Sequence, residues 1–175
     1  EPAPVQDVTT VYVLPTVEKY GGLKLRPVRD RNVDGEVVLP GRALTVVRGP
    51  LIESGARWML VRTQTSDDTA GWATVERGGE AYIGDRRGAP TVTTTEPVLP
   101  QTRTARVLPG VDKYGGIKVR PMRDVSLSGI SFPSGTLLTL LAAFGGGDNE
   151  WWLVTAQDGK DTSGWVRVRK GAENY

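Results

Sequence analysis

The segment VEKYGGLKLRPVRD at 17–30 returns as VDKYGGIKVRPMRD at 111–124, so this chain has to build nearly the same local structure twice. The correspondence runs at a spacing of 94 residues from Val13 and Val107 to Val47 and Leu141, pairing Pro27 with Pro121, Gly41 with Gly135 and Thr45 with Thr139. It then slips by one. At a spacing of 93, Trp58 matches Trp151, Val61 matches Val154, Gly71-Trp72 matches Gly164-Trp165 and Tyr82 matches Tyr175, which locates a one-residue deletion opposite residues 48–57. The openings correspond too, since Glu1-Pro2 and Gln6 recur as Glu96-Pro97 and Gln101. The 175 residues therefore divide into two similar domains, 1–82 and 96–175, with a connector at 83–95.

A domain of about 80 residues buries only about 60–65% of its unfolded surface, so it needs a compact core and has little room for an enclosed active site. The absence of cysteine removes disulfides, thiolate nucleophiles and Cys-ligated zinc, and the absence of histidine removes the commonest general base and transition-metal ligand. No nucleophile–base pair, phosphate loop or acid pair stands out, so neither an enzyme nor a cofactor or metal is expected. The 22 basic and 20 acidic residues nearly cancel, which argues against a polybasic nucleic-acid binder. No apolar run approaches the roughly 20 residues that span a bilayer. The opening Glu1-Pro2-Ala3-Pro4 is like a mature terminus after signal removal, consistent with an extracytoplasmic protein.

With 22 glycines and 12 prolines, no window sustains an amphipathic helix. Short strands remain. Thr10 to Leu14 is rich in β-branched and aromatic residues, and Leu23-Lys24-Leu25-Arg26 alternates apolar with basic, as does its twin Ile117-Lys118-Val119-Arg120. Ala43 to Val47, Trp58 to Thr63 and Gly71 to Val75 follow, each with its counterpart, so about five strands per copy point to an all-β fold of small barrels or sandwiches.

Each copy carries an apolar-x-apolar-Arg strand, a Gly-x-x-Leu-Thr strand, a Trp-x-Leu-Val strand and a terminal Gly-Trp strand. This order resembles the bacterial SH3 domain, SH3b, in tandem. The segments are Leu23 to Arg26, Gly41 to Val46, Trp58 to Val61 and Gly71 to Ala73, then Ile117 to Arg120, Gly135 to Leu140, Trp151 to Val154 and Gly164 to Val166. The family usually has Ser-Gly-Pro after the arginine; here Pro27-Val28-Arg29-Asp30 and Pro121-Met122-Arg123-Asp124 stand instead. The resemblance implies two tandem SH3-like β-barrels of about five strands each, and binding of cell-wall peptides, glycans or protein partners rather than catalysis.

Candidate ligand contacts follow from residue type. Trp58 and Trp72, with Trp151 and Trp165, supply core area or binding surface. Adjacent Trp151 and Trp152 point to opposite faces of a strand; since Trp151 matches Trp58, Trp152 is expected to face outward as a binding anchor. Tyr20 and Tyr114, before paired glycines, would wall a shallow groove, and Lys24, Arg26, Lys118 and Arg120 on the next strand would meet carboxylates. Arg29-Asp30 and Arg123-Asp124 are expected to pair locally or to stabilise the loop. Residues 145–150 and Asp158-Gly159-Lys160-Asp161 lack spaced calcium ligands and are expected to be turns, and Asp68-Thr69 and Asp161-Thr162 need no chemistry. The leading expectation is a non-catalytic extracytoplasmic module binding cell-wall peptide or glycan, or a surface protein. The alternative is a self-associating repeat of a bacterial surface filament or envelope complex.

Overall fold

The computed structural model describes residues 9–66, 68–85, 103–144, 149–170 and 173–174. The described residues are mostly β, in five sheets, and none of these closes on itself. In the first copy, strands β4 (Ala43–Glu53), β5 (Ala56–Thr63) and β6 (Ala70–Arg77) form an antiparallel meander. Strand β1 (Thr10–Val13) lies on the free side of β4, β7 (Glu80–Ala81) turns back on β6, and β8 (Ile83–Gly84) adds to β1, giving the order β7-β6-β5-β4-β1-β8. A hairpin of β2 (Leu23–Leu25) and β3 (Glu36–Val38) folds over β6. The second copy repeats this with β9 (Arg103–Arg106), β10 (Ile117–Val119), β11 (Ile130–Phe132), β12 (Leu137–Phe144), β13 (Trp151–Ala156) and β14 (Ser163–Arg167), ordered β14-β13-β12-β9 beside the hairpin β10-β11. Strands β15 (Arg169–Lys170) and β16 (Glu173–Asn174) form the fifth sheet.

Three local features depart from the strand reading. Pro15–Tyr20 and Pro109–Tyr114 are six-residue 3-10 turns, each opened by proline and ended by a left-handed glycine, Gly21 or Gly115. Strands β3 and β11 were not expected, because three residues between loops carry too little pattern to register. Ile83 and Gly84, expected to start the connector, pair with Val13 and Tyr12; the remainder of that segment, 86–95, lies outside the described residues. The one-residue slip falls where β4 carries register shifts between Val46 and Arg48 and between Arg48 and Leu51, while β12 has one, between Leu140 and Ala142.

Each copy has its own core. Val11, Val17, Leu25, Leu44, Met59 and Val61 belong to the first, and Val107, Val111, Val119, Leu138, Val154 and Val166 to the second. The opposite face of β5 and β13 is buried as well. Trp58, Leu60 and Trp72 form one further cluster, and Trp151, Leu153, Trp165 and Ala70 another; Val47 and Leu141 pack against both. Since Ala70 comes from the first copy and the other three from the second, these clusters are the seam between copies.

The seam is reciprocal. The Trp72 indole N–H donates to the Asp161 carbonyl at 2.9 Å, and the Trp165 indole N–H donates to the Asp68 carbonyl at 2.7 Å. The Ser163 N–H donates to the Pro27 carbonyl, and the Ala70 N–H to the Pro121 carbonyl. Arg29 pairs with Asp161 across the seam and stacks 5.0 Å from the Trp72 ring; Arg123 lies 3.5 Å from Asp68 and 5.4 Å from the Trp165 ring. Matched residues exchange matched bonds, as in an isologous dimer built within one chain. The arginines thus pair across the seam and not locally, while Asp30 and Asp124 stabilise their loops, as the other branch of the expectation had it, by accepting the N–H of Asn32 and Ser126.

Candidate functional site

Each copy opens a groove of about 270 Å3 where its 3-10 turn, its hairpin and its central sheet meet. Val17, Tyr20, Gly22, Leu23, Lys24 and Arg26 line the first, and their counterparts Val111, Tyr114, Gly116, Ile117, Lys118 and Arg120 line the second. The turn ends on the tyrosine, and the glycine pair then reverses the chain into β2 or β10. Gly22 must stay bare, since a Cβ there would lie 2.6 Å from Val37 Cγ1. Alternation does the rest: Leu23 and Leu25 enter the core while Lys24 and Arg26 face the groove. Tyr20 and Tyr114 are half exposed, at 55% and 50%, as a wall open to a ligand must be.

Six of the eight residues singled out from the sequence thus come together, three per groove. The other two do not. Trp58 is only 3% exposed, sits in the seam and lines neither groove. The two faces of β13 are the reverse of the expected ones: Trp151 points into the seam, whereas Trp152 packs partly covered against its own copy's core and donates to Glu150 Oε1 at 2.8 Å. Trp152 lines neither groove.

The cations divide into anchored and available ones. Arg26 Nε donates to the Val33 carbonyl at 2.8 Å, and Arg120 Nε to the Leu127 carbonyl at 3.1 Å, so both arginines hold the loops between the hairpin strands. Burial holds both guanidiniums below the ordinary arginine value. Lys24 is paired with Asp34 at 2.7 Å; at the matching position the second copy has Ser128, and Lys118 has no ion pair among the described residues. In the first groove the Arg31 and Arg77 side chains also lack hydrogen-bond and ion-pair partners among the described residues, and in the second Val125 takes the place of Arg31 while Arg167 takes that of Thr74. Neither lining contains a carboxylate.

The first groove's rim is fixed by Glu80, which accepts from the Tyr20 hydroxyl at 3.0 Å and pairs with Lys19; the Lys19 contact holds the Glu80 carboxyl below its usual range. Tyr20 meets Tyr82 edge to face at 5.8 Å. Sequence reasoning missed Arg31, Thr74, Arg77 and Tyr82, which arrive from a loop and from β6 to β8. For Arg31, Thr74 and Arg77 the signal was the same repeat alignment, read where the copies differ; Tyr82 recurs as Tyr175. It also missed Asp68 and Asp161, whose recurrence before Gly-Trp reflects carbonyls that receive the other copy's indole.

The Asp158 turn is self-contained, its carboxylate accepting from the Lys160 and Thr162 N–H groups. Residues 145–148 lie outside the described residues, and among those described no three acidic side chains gather at metal-binding distance. No helix of the described residues is long and apolar enough to cross a membrane. No family model, no curated protein and no solved structure matches the chain.

Proposed function

We propose that this chain is a non-catalytic, extracytoplasmic binding module that uses its two equivalent grooves to hold acidic groups of cell-wall peptides or glycans, or of a surface protein. The observation that carries it is the pair of linings: in each, an exposed tyrosine and apolar floor lie beside three or four cations with no carboxylate among them. Such a site favours anions that also bring apolar area, and its cations raise the local concentration of an acidic target. The SH3b reading supports the same class of ligand. The bridges Arg26–Trp72 and Arg120–Trp165, which lash each hairpin across its main sheet, are what two SH3-like barrels would need.

Retention on purified peptidoglycan is the test. Binding that falls with added salt, and falls further in Lys118→Glu and Arg77→Glu while Trp58→Phe binds normally, is the expected result; salt-independent retention or none counts against it.

A second reading, an assembly repeat of a surface filament or envelope complex, is favoured by the seam. Its two halves exchange identical bonds, so each copy carries both the indole donor and the carbonyl acceptor that another copy requires. Light scattering and electron microscopy distinguish the two, since a strict monomer that binds wall material excludes assembly.

A further inference from the structure

We infer that the first groove is built for a free carboxylate next to an apolar side chain, such as the C-terminal residue of a peptide, received by the Thr74 hydroxyl together with Arg31 and Arg77. The inference rests on the binding-module reading and names the chemical group bound. Thr74 is 7% exposed and lines this groove, yet its Oγ1 is covered and has no hydrogen-bond partner among the described residues. A hydroxyl in that position is costly to bury, and a native fold keeps such groups where something else completes them.

Thr74 lies opposite Trp58 in the ladder of β5 and β6, on the strand whose preceding residues carry the seam. Two residues on from Trp72, Thr74 shares Trp72's face of β6, the face across which Arg26 bridges to the strand, and it lines the groove there. The two long side chains beside it, Arg31 and Arg77, are exposed and have no hydrogen-bond or ion-pair partner among the described residues, so they can move aside and close again on an anion. The rim acid does not compete for them, because Glu80 is committed to Lys19 and Tyr20. Guanidinium groups present paired donors that match the two oxygens of a carboxylate, and the threonine supplies one further donor. Tyr20, Leu23 and Tyr82 leave an apolar wall for the side chain that a terminal residue carries two bonds from its carboxylate. A simple inorganic anion would leave that wall unused.

The second groove differs at these positions. Val125 replaces Arg31 and Arg167 replaces Thr74, so the two grooves are expected to rank ligands differently.

The experiment is a nuclear magnetic resonance titration of the full chain with an N-acetylated tripeptide ending in valine, against its C-terminal amide and against a uronic acid. The free acid is expected to shift the Thr74 and Arg77 resonances saturably, with the amide at least tenfold weaker. Thr74→Val is expected to weaken the acid about tenfold, equivalent to about 1.4 kcal/mol, while Thr74→Ser retains it. The unliganded Thr74→Val protein should be at least as stable as the parent, because an unsatisfied hydroxyl is lost; a less stable variant would mean that the hydroxyl is already satisfied, and overturns the inference. Equal binding of acid and amide, preference for the uronic acid, or no first-groove shifts up to about 50 mM peptide each overturns it as well. Peptidoglycan retention separates this from the parent reading: retention without first-groove shifts sinks only the carboxylate site, and first-groove shifts without retention sink only the wall reading.

Discussion

Replacing Trp165 by phenylalanine tests whether the seam makes the two copies one folding unit. The indole is fully buried, and its N–H is the group given to the Asp68 carbonyl at 2.7 Å. Phenylalanine keeps one ring in the cluster but orphans that carbonyl, at about 1–3 kcal/mol. The lost ring edge forfeits roughly 40 Å2 of burial, about 1 kcal/mol more. A total of about 2–4 kcal/mol should lower the melting temperature by roughly 5–15 °C for a chain of this size. Urea unfolding read by amide hydrogen exchange gives the decisive comparison. In the variant, Leu60 and Val61 of the first copy should lose protection together with Leu153 and Val154 of the second. Unchanged protection at Leu60 and Val61 would mean that the copies fold independently, and would refute the shared-seam argument.

Other outcomes follow from the same contacts. Gly71→Ala would set a Cβ 2.8 Å from the Arg26 carbonyl oxygen, so it should cost about 1–3 kcal/mol in urea unfolding, and Gly164→Ala, at 2.4 Å from the Arg120 oxygen, should cost at least as much. Trp58→Ala should destabilise by about 3–5 kcal/mol as a core truncation, whereas Trp58→Phe should leave peptidoglycan retention intact. Burial raises the Asp68 carboxyl above its ordinary value of 3.8, outweighing nearby Arg62 and Arg123. The folded state therefore takes up the proton first as pH falls, and wild type should gain stability relative to Asp68→Asn between that raised value and 3.8, then level off; the opposite slope would mean that the arginines prevail.

Much of the groove was legible because the repeat supplies its own control. Tyr20, Lys24 and Arg26 recur with the same spacing, and strand alternation alone puts the basic pair on one side of β2 and the leucines on the other. The anchoring of Arg26 to the Val33 carbonyl was not legible, since that loop contact depends on how the hairpin curls. Thr74 was hidden for a related reason: an isolated threonine in a strand signals nothing until its neighbours are found to leave the hydroxyl unpaired.

Residue pattern by itself determined that the chain is β-rich, that its halves match, and that Trp151 and Trp152 must face opposite ways. It could not say which way, because Trp58, Met59, Leu60 and Val61 are apolar without interruption. A strand buried on both faces loses the polar alternation that marks inside from outside. The tertiary structure decided the matter by setting the copies back to back: Trp58 and Leu60 meet the seam, while Met59 and Val61 fill the first copy's own core. That arrangement buries Trp58, Trp72, Trp151 and Trp165 and leaves Tyr20 and Tyr114 as the exposed aromatics of the cation-lined grooves.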